Sequence, residues 1–240
     1  MQTTSEWMNR KDIREGRAMT VQQLYAGWFN RDPNRPVHYN PFAMLSPADG
    51  FIIYSKVVDP DKEILHIKGG KYTVNTLLRK ELNMPCLVIG IFMTLYDVHI
   101  NRMPTSGHLD YYSLEALKAE NLTMTKVETE ILTNLGADNS NMKYNIYNER
   151  KVNRVYDSRL EQPYYMLQVA DFEVDVIAHY YKRNAFTQQG RRFAIVKNGS
   201  QVDLIVPFVN PKLNFVSLVD NKIGMHVEAV LDKLVSIEGM

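Results

Sequence analysis

The chain has 240 residues, of which 45% are apolar and 23% charged, with a formal net charge of +1. That length allows one large domain or two small ones, and the apolar share supports a packed core. So near-neutral a charge argues against a strongly basic nucleic-acid binder and against an acidic solvating protein. A single cysteine, Cys86, excludes an internal disulfide. No apolar run approaches the ~20 residues of a membrane helix, and the charged start, MQTTSEWMNRKDIREGRAM, does not suit a secretory signal, so a cytoplasmic protein is expected.

Residues 6–29 read as helical, with Trp7, Met8, Ile13, Met19, Leu24, Trp28 and Phe29 scattered among charges and weakened by Gly16 and Gly27. Two readings stand: a helical pair packed on the body, or an interfacial segment with Arg10, Lys11, Arg14 and Arg17 facing lipid phosphates. The uneven apolar face favours the first. Residues 31–41, RDPNRPVHYNP, read as an extended Pro-rich connector. From about residue 50 the texture becomes short, β-branched and turn-bounded. Strands are predicted in FIIYSKVV, ILHI, CLVIGIFM, KVETEIL, YYMLQVA, VDVIAHYY, RRFAIV and QVDLIVP, and helices over 73–82 and 113–120. Asn198-Gly199, between AIV and the alternating Val202, Leu204 and Val206, predicts a two-residue turn between paired strands. The expected fold is α+β: a β-rich single domain, 41–240, behind an N-terminal helical and connector segment, 1–40.

Of six histidines, none has H-E-x-x-H or H-x-H spacing, and no metal site is expected. His66 and His179 read as structural, and His226 has no partner in view. His99 lies in MTLYDVHINRMPTSG, where a buried strand ends and Asp97, His99, Asn101 and Arg102 gather before Pro104 and Gly107. Such a cluster either positions side chains for chemistry or merely caps a turn, with Arg102 a surface charge. In LSPADGFIIY, Asp49-Gly50 makes a turn before a strand. In Gly199-Ser200 the serine hydroxyl can reach back to the preceding carbonyl carbon. An N→O acyl shift, elimination and hydrolysis would then convert the serine to a pyruvoyl group, given a base such as a histidine oriented by a carboxylate.

Together these stretches resemble the phosphatidylserine decarboxylase family. The likeness is carried by Ser46-Pro47-Ala48-Asp49-Gly50, by Asp97-Val98-His99-Ile100-Asn101-Arg102-Met103-Pro104-Thr105-Ser106-Gly107, and by Gly199-Ser200-Gln201-Val202-Asp203, in that order. ILHIKGGKYTVNTLL, Asn148-Glu149-Arg150 and PYYMLQVADFEVDVI extend it from about residue 40 to the end. The resemblance implies a proenzyme cleaving itself between Gly199 and Ser200 into a β chain, 1–199, and an α chain, 200–240. It implies a maturation triad in which Asp49 orients His99 and His99 deprotonates Ser200. Ser200 would become the pyruvoyl cofactor, whose Schiff base with the substrate amine is an electron sink, with His99 the proton donor after CO2 leaves. The expected assembly is a homodimer, with peripheral membrane contact through the N-terminal segment. Four features depart from the family pattern: Arg102 stands where long members have a second histidine, Thr94-Leu95-Tyr96 replaces Ser-Pro, Asn198 precedes Gly-Ser and Gln201 follows it. Phosphatidylserine is the expected substrate. A soluble or peptide-linked amino acid, or a non-processing binding protein of the same fold, are the alternatives.

Overall fold

The structure, a computed structural model, describes residues 1–67, 70–117, 121–133, 141–173, 176–197 and 200–240. Short helical pieces open the chain: α1 (Thr4–Met8), α2 (Lys11–Arg17), α3 (Val21–Gln23) and a π-helical turn over Leu24–Trp28. Thr3 and Thr20 start α1 and α3 through reciprocal capping boxes with Glu6 and Gln23. Then come β1 (Ala43–Leu45), β2 (Gly50–Val58), β3 (Glu63–Ile67), β4 (Gly70–Thr73), α4 (Val74–Leu78), β5 (Cys86–Met93), β6 (Ile100–Arg102) and β7 (Gly107–Leu114). The second half holds α5 (Thr125–Leu132), α6 (Tyr144–Tyr147), β8 (Arg150–Asp157), β9 (Gln162–Ala170), β10 (Ile177–His179), β11 (Ala185–Thr187), β12 (Arg192–Val196) and β13 (Ser200–Pro207). It closes with β14 (Asn214–Ser217), β15 (His226–Val227) and β16 (Lys233–Glu238).

Among the described residues an eight-stranded antiparallel sheet, ordered β11-β7-β8-β9-β13-β5-β2-β15, forms the middle layer. Both its faces are covered, which is why β5 reads as one unbroken apolar run rather than an alternation. Cys86, Val88 and Phe92 face an apolar cluster shared with α4, α5 and the N-terminal Trp7 and Ile13. Leu87, Ile89, Ile91 and Met93 face a second cluster. That side is roofed by two small sheets, β1-β16-β14 and β10-β12-β6. The β-rich α+β reading therefore holds. No helix among the described residues is long and apolar enough to cross a membrane.

Four local expectations are corrected. The strands flanking Asn198-Gly199 do not pair: β12 bonds to β10 and β6, whereas β13 lies between β9 and β5. The chain passes there from the roof to the middle sheet, so an alternation on both sides identified two strands but not a hairpin. Asn198 and Gly199 themselves lie outside the described residues. KVETEIL is helical, because Val127 and Ile131, one turn apart, are the pair that faces the core. The helix expected over 113–120 is instead the end of β7 through Leu114, with 118–120 outside the described residues. The helix over 73–82 stops at Leu78, where Arg79 turns left-handed at φ 46°.

The N-terminal pieces turn their apolar side chains inward. Trp7, Ile13, Leu24 and Phe29 are buried, while Lys11, Arg14, Arg17, Val21 and Tyr25 are exposed. This is the packed arrangement favoured from the uneven apolar face.

Candidate active site

Antiparallel register gathers the three singled-out segments at one end of the middle sheet. Asp49 precedes the first residue of β2, and Phe51 pairs with Phe92 near the end of β5. Met93, the last residue of β5, pairs with Ser200, the first of β13, and Ser200 pairs on its other side with Ala170, the last of β9. The turn carrying His99 leaves β5 at this same end. Backbone bonds lock the segments together: Arg102 N donates to Pro47 O at 2.8 Å, and Leu45 N to Pro104 O at 3.1 Å. Gly50 is required at this crossing. Its φ is +149°, and a Cβ there would sit 2.2 Å from the Phe92 carbonyl oxygen.

Ser200 is fully buried, and its hydroxyl donates to the Met93 sulfur at 3.2 Å. His99 is also fully buried, with the Phe29 ring edge-on at 4.9 Å. Its Nδ1–H donates to the Asp97 carbonyl at 2.9 Å, since a carbonyl only accepts. That fixes Nε2 as the basic nitrogen, and among the described residues Nε2 has no hydrogen-bond partner. Burial lowers the imidazole to about 4, against the charges of Asp97 and Asp49, which raise it. The ring is thus neutral near pH 7, with a lone pair free to take a proton.

Asp49 reaches His99 through its field rather than through a bond. Its carboxylate is held by Arg35 in a two-pronged buried pair, 2.5 and 2.6 Å, and accepts the Ala229 N–H at 2.8 Å. Among the described residues no hydrogen bond joins Asp49 to His99 or His99 to Ser200. Gly199, the other half of the expected cleavage site, lies outside the described residues.

Sequence reasoning missed three residues of this end, Arg35, His226 and Arg31. His226, on β15, donates from Nε2 to Asp97 Oδ1 at 2.7 Å, both side chains 1% exposed. The other Asp97 oxygen accepts the Thr94 N–H and hydroxyl, both at 2.8 Å. Burial alone would raise the Asp97 carboxyl, but His226 and Thr94 outweigh it and hold it below the usual range. Arg31, from the connector, donates to the Tyr96 and Asp97 carbonyls. The His99 loop is therefore pinned from both sides by residues far away in sequence, and no local spacing announces them. Arg102 is not a surface charge: it is buried, bonded to the Gly190 carbonyl at 3.1 Å and to Asp32 at 2.8 Å. Gln201 is buried on the opposite face of β13, where it donates to Asp203 at 2.7 Å and accepts from the Tyr144 hydroxyl at 2.9 Å.

Two openings lie beside this end. A cavity of about 280 Å³ is lined by Tyr25, Phe29, Asn30, Glu173 and Lys197; Phe29 also packs on His99, and Lys197 stands three residues before Ser200. A larger cleft, about 480 Å³, is lined by Arg102, Arg191 and Arg192 together with Val37, Tyr39, Ser106 and Gln188 to Gly190.

A family model described as phosphatidylserine decarboxylase matches residues 23–227. The chain belongs to the phosphatidylserine decarboxylase family. Curated relatives agree. A putative archaetidylserine decarboxylase proenzyme of Methanocaldococcus jannaschii is 35% identical over 88 residues, 37% of this chain and 42% of that one. A phosphatidylserine decarboxylase proenzyme of Cupriavidus taiwanensis is 27% identical over 180 residues, 75% of this chain and 66% of that one. Another, of Symbiobacterium thermophilum, is 30% identical over 96 residues, 40% of this chain and 36% of that one. The matches thus span less than two thirds of the length of each of these three relatives.

Proposed function

We propose that the chain is a self-processing, pyruvoyl-dependent decarboxylase acting on phosphatidylserine. The observation that carries this reading is the convergence, at one sheet end, of a fully enclosed Ser200 and a neutral, fully enclosed His99 whose Nε2 is unpartnered. Ser200 gives up its hydroxyl proton to His99, and Asp49, fixed by Arg35, supplies a negative field that favours the protonated imidazole. Cleavage yields chains 1–199 and 200–240. The new end stays in place because β13 is hydrogen-bonded to β5 and β9 along both edges.

The full burial of Ser200, with the orphaned His99 Nε2 at the same sheet end, fits a group made from that serine. A pyruvoyl group there supplies an electron sink for the electrons left when a carboxylate departs as CO2. The chain's own part is to exclude water, through Phe29 and the strand ends, and to return a proton from His99 Nε2. For the substrate, the cleft lined by Arg102, Arg191 and Arg192 favours a phosphodiester. Arg102 and Arg192 share the single carboxylate of Asp32, leaving excess positive charge on that wall.

Intact mass of the purified chain, with and without a carbonyl reagent, tests the reading. Two fragments are expected, the smaller one of 41 residues taking up the reagent, and both Ser200→Ala and His99→Ala should stay whole. A wild-type chain still whole after prolonged incubation at neutral pH overturns it. Release of CO2 from a soluble amino acid but not from phosphatidylserine in liposomes would transfer the activity to the soluble substrate.

A further inference from the structure

A line of fully buried amides leads away from Ser200. The Asn101 Oδ1 accepts from Gln168 Nε2 at 2.6 Å, Gln168 Oε1 accepts from Asn153 Nδ2 at 2.9 Å, and Asn153 Oδ1 accepts from His179 Nε2 at 2.5 Å. Asn101, Gln168 and Asn153 are all 0% exposed. Every bond points the same way. An amide oxygen can only accept, so the single proton of a neutral His179 sits on Nε2 and sets the direction of all that follows. Burial, reinforced by Lys151, lowers His179 to about 4 and keeps it neutral. Its ring is clamped against Tyr111, centroids 3.8 Å apart and planes 15° from parallel.

At the far end the line delivers an N–H donor to a poor acceptor. Asn101 Nδ2 points at the Met93 sulfur from 3.6 Å, and the Ser200 hydroxyl points at that same sulfur from 3.2 Å. A thioether accepts weakly, so a strong, pre-oriented donor there is free to turn to any better acceptor that forms beside Ser200. Aligned donors along the line also polarise one another in the same sense.

We propose that Asn101 is the oxyanion donor of self-cleavage, and that Gln168, Asn153 and His179 are positioning residues that aim it; this rests on the self-processing reading above. In the step it serves, Ser200 Oγ loses its proton to His99 Nε2 and bonds to the carbonyl carbon before it. The π pair moves onto the carbonyl oxygen, where Asn101 Nδ2–H meets the charge. When that pair returns, the C–N bond breaks and the proton passes from His99 to the freed amine, leaving an ester. Loss of the Ser200 Cα proton then expels the carboxylate, and water displaces ammonia from the resulting dehydroalanine.

The test follows the splitting of full-length chains on denaturing gels, with hydroxylamine to reveal the ester and thermal melts as the folding control. Asn101→Asp, which keeps the shape and loses the donor, should slow splitting about 100-fold and show no ester build-up. His179→Phe keeps the stack on Tyr111 but removes the donor, and should slow splitting about tenfold. His179→Gln, whose amide restores a donor at the same place, should recover most of the rate. If wild type stays whole, the self-processing reading and this inference fall together. If wild type splits and folded Asn101→Asp splits equally fast or accumulates ester, only the Asn101 assignment falls. Should Asn101→Asp not fold, the His179 pair decides: equal rates for Phe and Gln at that position overturn the line of amides.

Discussion

At the scale of single residues, the site works by what its bonds leave free. His99 spends one nitrogen on the Asp97 carbonyl and keeps the other bare. Because burial lowers the ring to about 4, the basic form is complete well below neutrality. The rate of chain splitting should therefore be level from about pH 8 down to pH 5.5 and fall only as pH approaches 4. A half-maximal rate near the ordinary histidine value of about 6.5 would mean that the ring is not enclosed as described. Arg35 gives a second expectation. Arg35→Met strands the buried Asp49 carboxylate and should cost about 3 kcal/mol in denaturant unfolding, while the Asp49→Asn, Arg35→Met double variant recovers much of it. Reactive types were legible in sequence because Ser after Gly, and His among polar groups at a strand end, are unusual local choices. Arg35 and His226 were not, since each meets its partner only through the folded sheet: 14 residues separate Arg35 from Asp49, and 129 separate His226 from Asp97.

At the scale of elements, legibility followed burial. CLVIGIFM is a strand buried on both faces, and its unbroken apolar run left little else for it to be. KVETEIL carries only two deeply buried positions, so its β-branched content suggested a strand although i, i+4 spacing set the outcome. The Asn-Gly signal named the ends of two strands correctly and mispaired them, because pairing is decided by sheet order, not by the turn. The same dependence on the sheet gives Gly50 its role. Gly50→Ala forces a side chain into φ +149° and against the Phe92 backbone, so it should cost about 3 kcal/mol and move Asp49 with the start of β2. Denaturant midpoint and splitting rate should fall together. A Gly50→Ala chain of wild-type stability would show that β2 does not cross β5 this closely.

At the scale of the molecule, the proposed cleavage requires the middle sheet to stay whole when one of its central strands loses its covalent link to β12, and the polar cluster under β13 bears on that. Asp203 is fully buried with Tyr54 and Gln201 each donating to Oδ1 at 2.7 Å, while among the described residues Oδ2 has no partner. Burial raises this carboxyl to about 7 in spite of those two donors. An unfolded aspartate titrates near 3.9. Between the two values the folded chain holds a proton that the unfolded chain has shed, so stability is fullest below about pH 4 and drains away as pH rises to about 7. Gln201, which departs from the family pattern beside the reactive serine, is thus part of the arrangement that ties this acid to Tyr144 and Tyr54. In the uncleavable Ser200→Ala background, Asp203→Asn should match its parent in guanidinium unfolding near pH 4. It should then exceed the parent by an amount that grows to on the order of 3 kcal/mol at pH 8. If the chain cleaves itself as proposed, the restraint that joins β13 to the roof is lost, and the same substitution should raise the thermal midpoint of the two-chain form as well. A difference between Asp203→Asn and its parent that stays constant from pH 4 to pH 8 would show that the carboxyl ionises normally, and the buried cluster would then have no part in how firmly the cleaved strand is held.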